Sequence, residues 1–206
     1  MAIVISPEQT GIGDLPRSDV LTESAAPMRE FILDVRRACE TETTMNRILE
    51  AIQGAQQRLL SRPDALQGLS IDRDAFRSWK VYTDPVHLFC INVGHQKPRH
   101  RRGVHDHGEL GWAVYGLHSG AMGQQLYDRL DDGSQAGHAE FRPRPFIRQA
   151  PGDATIVPVG MAHAPINDSD SDAWTVVIRS RDLATIWRNW YDVEKHKVFR
   201  MCKAGD

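Results

Sequence analysis

The chain has 206 residues, 41% of them hydrophobic, enough for one good core with a helical appendage. A formal charge of −2 argues against general affinity for nucleic acid or anionic membrane. No apolar stretch is long enough to span a bilayer, and Met1 to Pro7 lack the basic and apolar regions of a signal peptide, so a cytoplasmic location is expected.

Residues 1–25 carry Pro, Gly, Ser and Asp without periodicity and read as an irregular arm. A helical region follows over 26–78. Met28, Phe31, Ile32, Val35 and Cys39 fall on one helical stripe, and Met45, Ile48, Leu49, Ile52 and Leu59 on another, with Thr44 as cap and Pro63 as stop. Both stripes read as core-facing surfaces. From Trp79 the texture changes to short strands, expected over Val86–Val93, Trp112–Leu117, Gln124–Leu130, His138–Phe141, Ala154–Val157 and Ala173–Arg179. Asp131-Asp132-Gly133 and Asn167-Asp168-Ser169-Asp170 are turn signals between them. Short strands with no alternating helices predict a mainly β fold, a double-sheet jelly roll or small barrel over 79–182, followed by a C-terminal extension over 183–206. Cys39, Cys90 and Cys202 have no paired spacing, so reduced thiols are expected.

The densest chemistry lies in His105-Asp106-His107. Residues two apart on a strand share a face, so both imidazoles can meet one ion. A lone His-x-His is common by chance among nine histidines. A third nitrogen must come from a neighbouring strand, and the segment Gly152 to Asn167 offers one: Pro158 and Gly160 suit a tight turn that delivers His163 to the next strand. The proposed ligands are therefore His105, His107 and His163. Neutral imidazoles suit zinc, copper, iron or nickel alike, so the donor type does not name the metal.

The order Gly152, Pro158, Gly160, His163, Asn167 resembles the second motif of the cupin superfamily. His105-Asp106-His107-Gly108, with Gly111-Trp112 and Gly116 downstream, is similar to the first motif of the thiol dioxygenases, the cysteine dioxygenase-like branch of the cupins. That branch lacks the glutamate ligand that most cupins carry after the His-x-His, and here Gly111 and Trp112 stand in its place. The resemblance covers roughly residues 79–180. It implies a cupin barrel with N-terminal helices, an Fe(II) cofactor (with other divalent transition metals as alternatives), and addition of both atoms of dioxygen to the sulfur of a small thiol, giving a sulfinate. The partners so implied are a small-molecule thiol and dioxygen, with no nucleic acid and no membrane.

The chain departs from that branch where the substrate is set. The strand after the third histidine, Ala173 to Arg179, lacks the family's His and Tyr, the carboxylate-binding arginine after Tyr82-Thr83 is replaced by Asp84, and Trp112 replaces the cross-linking cysteine. These changes imply a thiol other than free L-cysteine, larger or cationic. Trp112 and Tyr115 are candidates to line the pocket, an aromatic wall being suited to a cation. Glu109 shares a face with the two histidines if the strand stays regular, as a fourth ligand, a hydrogen-bond acceptor for an imidazole, or an ordinary glutamate at the barrel mouth. Arg179 either reaches inward to hold an anionic group or lies on the surface. The basic run Lys97 to Arg102 is read as a solvated loop, with a phosphate patch or a part in substrate entry as alternatives. The competing function class is a cupin that binds a metal or small ligand without oxygenase activity, such as a sensor or a zinc-dependent isomerase or hydrolase.

Overall fold

A computed structural model describes residues 18–202, so most of the arm expected over 1–25 lies outside the described residues. Two helices come first, α1 (Ala26–Thr41) and α2 (Met45–Leu60), and their apolar stripes share one core. Thr44 caps α2 as expected, its hydroxyl accepting from the Arg47 N–H at 3.4 Å.

Twelve strands follow: β1 (Ser78–Thr83), β2 (Cys90–Gln96), β3 (Val104–His105), β4 (Ala113–Gly120), β5 (Met122–Arg129), β6 (Phe141–Pro143), β7 (Ile147–Gln149), β8 (Ala154–Val157), β9 (Ala162–Ile166), β10 (Ala173–Arg179), β11 (Arg188–Asp192) and β12 (Lys197–Met201). They form two antiparallel sheets, one ordered β1-β2-β10-β4-β8 and the other β12-β11-β3-β9-β5-β6, with β7 also paired to β5. This is the mainly β, double-sheet barrel that the strand pattern predicts, with the N-terminal helices and the cupin-type arrangement that the motif resemblance implies.

The first sheet is buried on both faces, and its alternation sorts side chains between two environments. Trp112, just before β4, and Val114, Val176 and Ile178 join the core with the helices, while Ala113, Tyr115 and Val177 face the barrel interior with Leu126 and Val157. The helices approach closely here. Gln56 donates to the Val176 carbonyl at 2.7 Å and Gln53 to the Ala154 carbonyl at 2.7 Å. A Cβ on Gly116 would lie 2.4 Å from Leu60 Cδ1, so a larger residue would have to displace the Leu60 and Gln56 side chains between α2 and β4.

Two strand expectations shift, for local reasons. The run expected from Val86 begins only at Cys90, because the Asp84 carboxylate accepts from the Val86 and His87 N–H groups at 2.9 and 2.7 Å and bends the chain into a turn in which Leu88 takes φ 63°. The strand expected over His138–Phe141 forms at Phe141–Pro143, leaving His138 an isolated bridge to Lys197. Beyond residue 182 the chain adds β11 and β12 to the second sheet, and Trp190 and Tyr191 of β11 pair with His105 and Val104.

Candidate metal centre

His105 and His163 are direct register partners across β3 and β9. The turn before β9 closes through the Met161 N–H on the Pro158 carbonyl at 3.2 Å, which sets His163 second in its strand. His107 lies two residues past His105, beyond the end of the strand. The structure brings all three imidazoles together, with potential ligand nitrogens within 4.8 Å of one another and all three side chains buried.

The second ring nitrogens define which face is available. His105 Nδ1 pairs with the Gly103 carbonyl at 2.9 Å, and His163 Nδ1 donates to Gln124 Oε1 at 3.1 Å. His107 Nε2 lies 3.4 Å from the Tyr115 hydroxyl. Among the described residues, His107 Nδ1 and His163 Nε2 have no hydrogen-bond partner although both are buried. Orphaned nitrogens of this kind are costly unless something accepts their lone pairs. Burial, reinforced by nearby arginines, lowers the His105 pKa to about 4 and holds His107 and His163 well below the ordinary histidine range. All three imidazoles are thus neutral at pH 7, the form in which they ligate metals, and the donor set fits a first-row divalent ion.

Asp106, between the two histidines, turns the other way. Its carboxylate accepts from the Gly108 and Asn189 N–H groups at 3.0 and 2.9 Å, from Asn189 Nδ2 at 2.8 Å and from the Tyr191 hydroxyl at 2.7 Å. The His-Asp-His segment is therefore clamped to β11.

Of the other sequence candidates, Tyr115 and Arg179 are at the chamber and Trp112 and Glu109 are not. The guanidinium of Arg179 lies over the Tyr115 ring, 5.6 Å from its centroid, and Nη1 donates to Asn92 Oδ1 at 2.9 Å. Both residues line a small, partly open chamber of about 20 Å³ with Arg102 and Met122, which adjoins the histidines through Tyr115. Trp112 packs toward the helices instead, because it stands three residues from Tyr115 and so on the opposite face of the strand. Glu109 is exposed: β3 ends at His105 and Gly108 turns the chain at φ 83°, so the regular strand that would align Glu109 with the histidines does not exist. It lines an outer cavity of about 340 Å³ that also reaches His107, Arg181 and Trp187. Asp84 is likewise remote from the chamber, paired with Arg36 at 2.5 Å and with the Tyr82 hydroxyl at 2.9 Å.

Three residues escaped the sequence reading. Gln124 orients His163, and its only signal is a polar side chain on the inward face of a strand. Trp190 stacks on His105 with ring centroids 4.8 Å apart, and Arg188 lies over Trp190 at 5.0 Å. Both come from the region read as a C-terminal extension, where no local pattern ties them to the histidines. In the basic loop, Arg99 is engaged with Asp170 at 2.8 Å while Arg102 turns to the chamber.

No family model matches the sequence, and no curated protein matches it. Several solved structures are similar to about half of this chain. A protein of Thermus thermophilus is 20% identical, with a TM-score of 0.38 over 52% of this chain and 85% of its own. The cupin domain of Cnp3 from Schizosaccharomyces pombe is 10% identical, with a TM-score of 0.38 over 51% of this chain and 64% of its own. Oxalate decarboxylase from Bacillus subtilis is 21% identical, with a TM-score of 0.35 over 46% of this chain and 22% of its own. Among the described residues no helix is long and apolar enough to cross a membrane.

Proposed function

We propose that the protein is a non-haem iron dioxygenase that adds both atoms of dioxygen to the sulfur of a small thiol other than free L-cysteine, with His105, His107 and His163 as the iron ligands. The observation that carries this reading is the buried triad with two partnerless ring nitrogens and no carboxylate in the group. Three neutral ligands leave a divalent ion its full charge, so bound ferrous iron would supply a site where a thiolate is favoured and dioxygen is activated. In the net reaction the thiol gives up its proton, two S–O bonds form as the O–O bond breaks, and four electrons pass from sulfur to oxygen, leaving a sulfinate.

The chain's own residues have separate tasks in this reaction. The Gly103 carbonyl and Gln124 Oε1 hold the Nδ1 protons of His105 and His163, so their Nε2 atoms are free to ligate, while the Tyr115 hydroxyl stands beside His107 Nε2. Tyr115 links the two parts of the site, its hydroxyl standing 3.4 Å from His107 Nε2 while the residue also lines the chamber of Arg102 and Arg179. The surrounding apolar residues Leu126, Val157 and Val177 limit water, which protects a reactive sulfur from side reactions. Free cysteine matches this chamber only in part, because Arg102 and Arg179 can take its carboxylate while no carboxylate among the lining residues takes its ammonium. The same charges disfavour the cationic thiol that the sequence had suggested.

The test is metal analysis of protein purified without added metal, followed by oxygen uptake against thiols that differ only in their carboxylate and amine. Iron content with stoichiometric sulfinate formation supports the proposal. Metal binding without oxygen uptake on any thiol would favour a cupin without oxygenase activity, and efficient saturable turnover of L-cysteine would overturn the substrate assignment.

A further inference from the structure

The barrel interior contains more positive charge than its fold requires. Arg179 and Arg188 are each only 8% exposed, and each has a buried guanidinium nitrogen with no hydrogen-bond partner, Nε in Arg179 and Nη1 in Arg188. Neither is in an ion pair with a carboxylate: Arg179 donates to the neutral Asn92 amide, and Arg188 lies over the Trp190 ring. Arg102 is half-buried and lines the chamber with Arg179 and Tyr115, its side chain without a hydrogen bond or ion pair. All three guanidinium groups act electrostatically on His105, and Arg179 disfavours charge on Arg102 and Arg188, against weaker favourable effects of Tyr115 on both and of Asp106 on Arg188. Several other arginines are paired with carboxylates: Arg36 with Asp84, Arg62 with Glu30, Arg99 with Asp170, Arg144 with Asp128.

Burying guanidinium groups without counter-charge is expensive, and unmade donor capacity adds to the cost. Such a cluster beside a reaction centre is what an anionic ligand neutralises, since a planar guanidinium matches the oxygens of carboxylate or phosphate. We propose that Arg102, Arg179 and Arg188 form a subsite for a doubly charged anionic group, and that the molecule turned over at the histidine centre is a dianion. This assignment rests on the reading of the triad as the reaction centre for the ligand's orientation, but the subsite exists independently of the metal. A single carboxylate would leave two guanidinium charges unmatched. The chamber as it stands has room for about one water, so the anion takes that place and Arg102, the half-exposed member, moves to admit it.

Binding is measurable without metal or turnover. Titration calorimetry of metal-free protein at about pH 7.5, where the carboxylates and most of the phosphate are fully ionised, uses succinate, inorganic phosphate and acetate at equal ionic strength. It should show saturable binding of at least one dianion at least tenfold tighter than acetate. Preference for succinate identifies a pair of carboxylates, and preference for phosphate identifies a phosphoryl group. Arg179→Gln and Arg188→Gln should each weaken that binding at least tenfold, whereas Arg142→Gln, a surface change next to Asp128, should leave it within twofold. Arg179→Lys keeps the charge and guards against misfolding of the glutamine variant, and it should weaken binding less than Arg179→Gln. On wild-type protein, the preferred dianion should raise the melting temperature more than acetate does. The inference is overturned if neither dianion binds better than acetate, or if both glutamine variants bind as wild type does. Absence of thiol oxidation would leave a positive binding result standing, and absence of dianion binding would leave the metal and oxygen measurements standing.

Discussion

His105 and His163 face one another across one antiparallel register step, joining two segments separated by most of the barrel sequence. That pairing makes two of the three residues of the centre a property of neighbouring strands, and the Asp106 clamp on β11 holds His107 just past the end of β3. Replacing His163 by Ala should therefore abolish metal retention while the barrel stays folded, because the imidazole contributes little to the apolar core. Metal content by elemental analysis and far-UV circular dichroism together decide the matter, and loss of both metal and secondary structure would contradict it.

Gln124 accepts the Nδ1 proton of His163 and is itself fully buried. Gln124→Leu removes the acceptor and frees the ring to rotate or change tautomer. Loss of such a partner typically lowers metal affinity by about 10- to 100-fold. Competition with a chromophoric chelator would measure it, and unchanged affinity would show that Gln124 does not position His163.

The three histidines make metal-free protein sensitive to acid. In the unfolded chain each takes up a proton near its ordinary pKa of 6.5, whereas in the fold His105 does so only at about 4, and His107 and His163 well below their ordinary value. Between those limits the unfolded state binds more protons, so this contribution to stability is fully present above about pH 6.5 and is lost as pH falls through the folded pKa. For His105 alone the difference amounts to about 3 kcal/mol. The melting temperature of metal-free protein should fall steadily as pH is lowered from about 6.5 to about 4. A flat profile across that window would mean that the imidazoles are not buried as neutral groups.

Asp84 supports the fold and not the substrate. It is fully buried, its carboxylate pairs with Arg36 and Tyr82, and hydrogen bonds from the His87 N–H and Arg36 hold its pKa below the ordinary carboxylate range against the opposing effect of burial. Asp84→Ala strands the Arg36 charge and should destabilise the protein by about 3 to 5 kcal/mol. Chemical denaturation measures the loss. A change in metal affinity without loss of stability would place Asp84 back at the centre.

Gly116 has no room for a methyl group between β4 and α2. Gly116→Ala should cost about 1 to 3 kcal/mol through displacement of Leu60 and Gln56. An unchanged melting temperature would show that the helices can move away from the sheet at little cost.

Much of this molecule follows from local pattern. The period of the apolar stripes places α1 and α2, Thr44 caps the second helix, and the expected strands at Ala154–Val157 and Ala173–Arg179 form with those bounds. The spacing of His105 and His107, with the turn leading to His163, marks the residues that the fold brings together, because strand alternation and tight turns are short-range properties. Alternation also separates Tyr115 from Trp112, which stand three residues apart and so on opposite faces of their strand. What no local pattern contains is the environment of the triad. Arg188 and Trp190 reach His105 only because β11 pairs with β3, and Gln124 meets His163 only because β5 lies beside β9. Glu109 leaves the histidines because β3 ends at His105, and Asp84 is taken by an arginine 48 residues before it. Charge in the chamber is the sum of side chains from the β2–β3 connection and the β10–β11 region of the chain, and burial gives those charges their strength, so it is decided by tertiary structure alone.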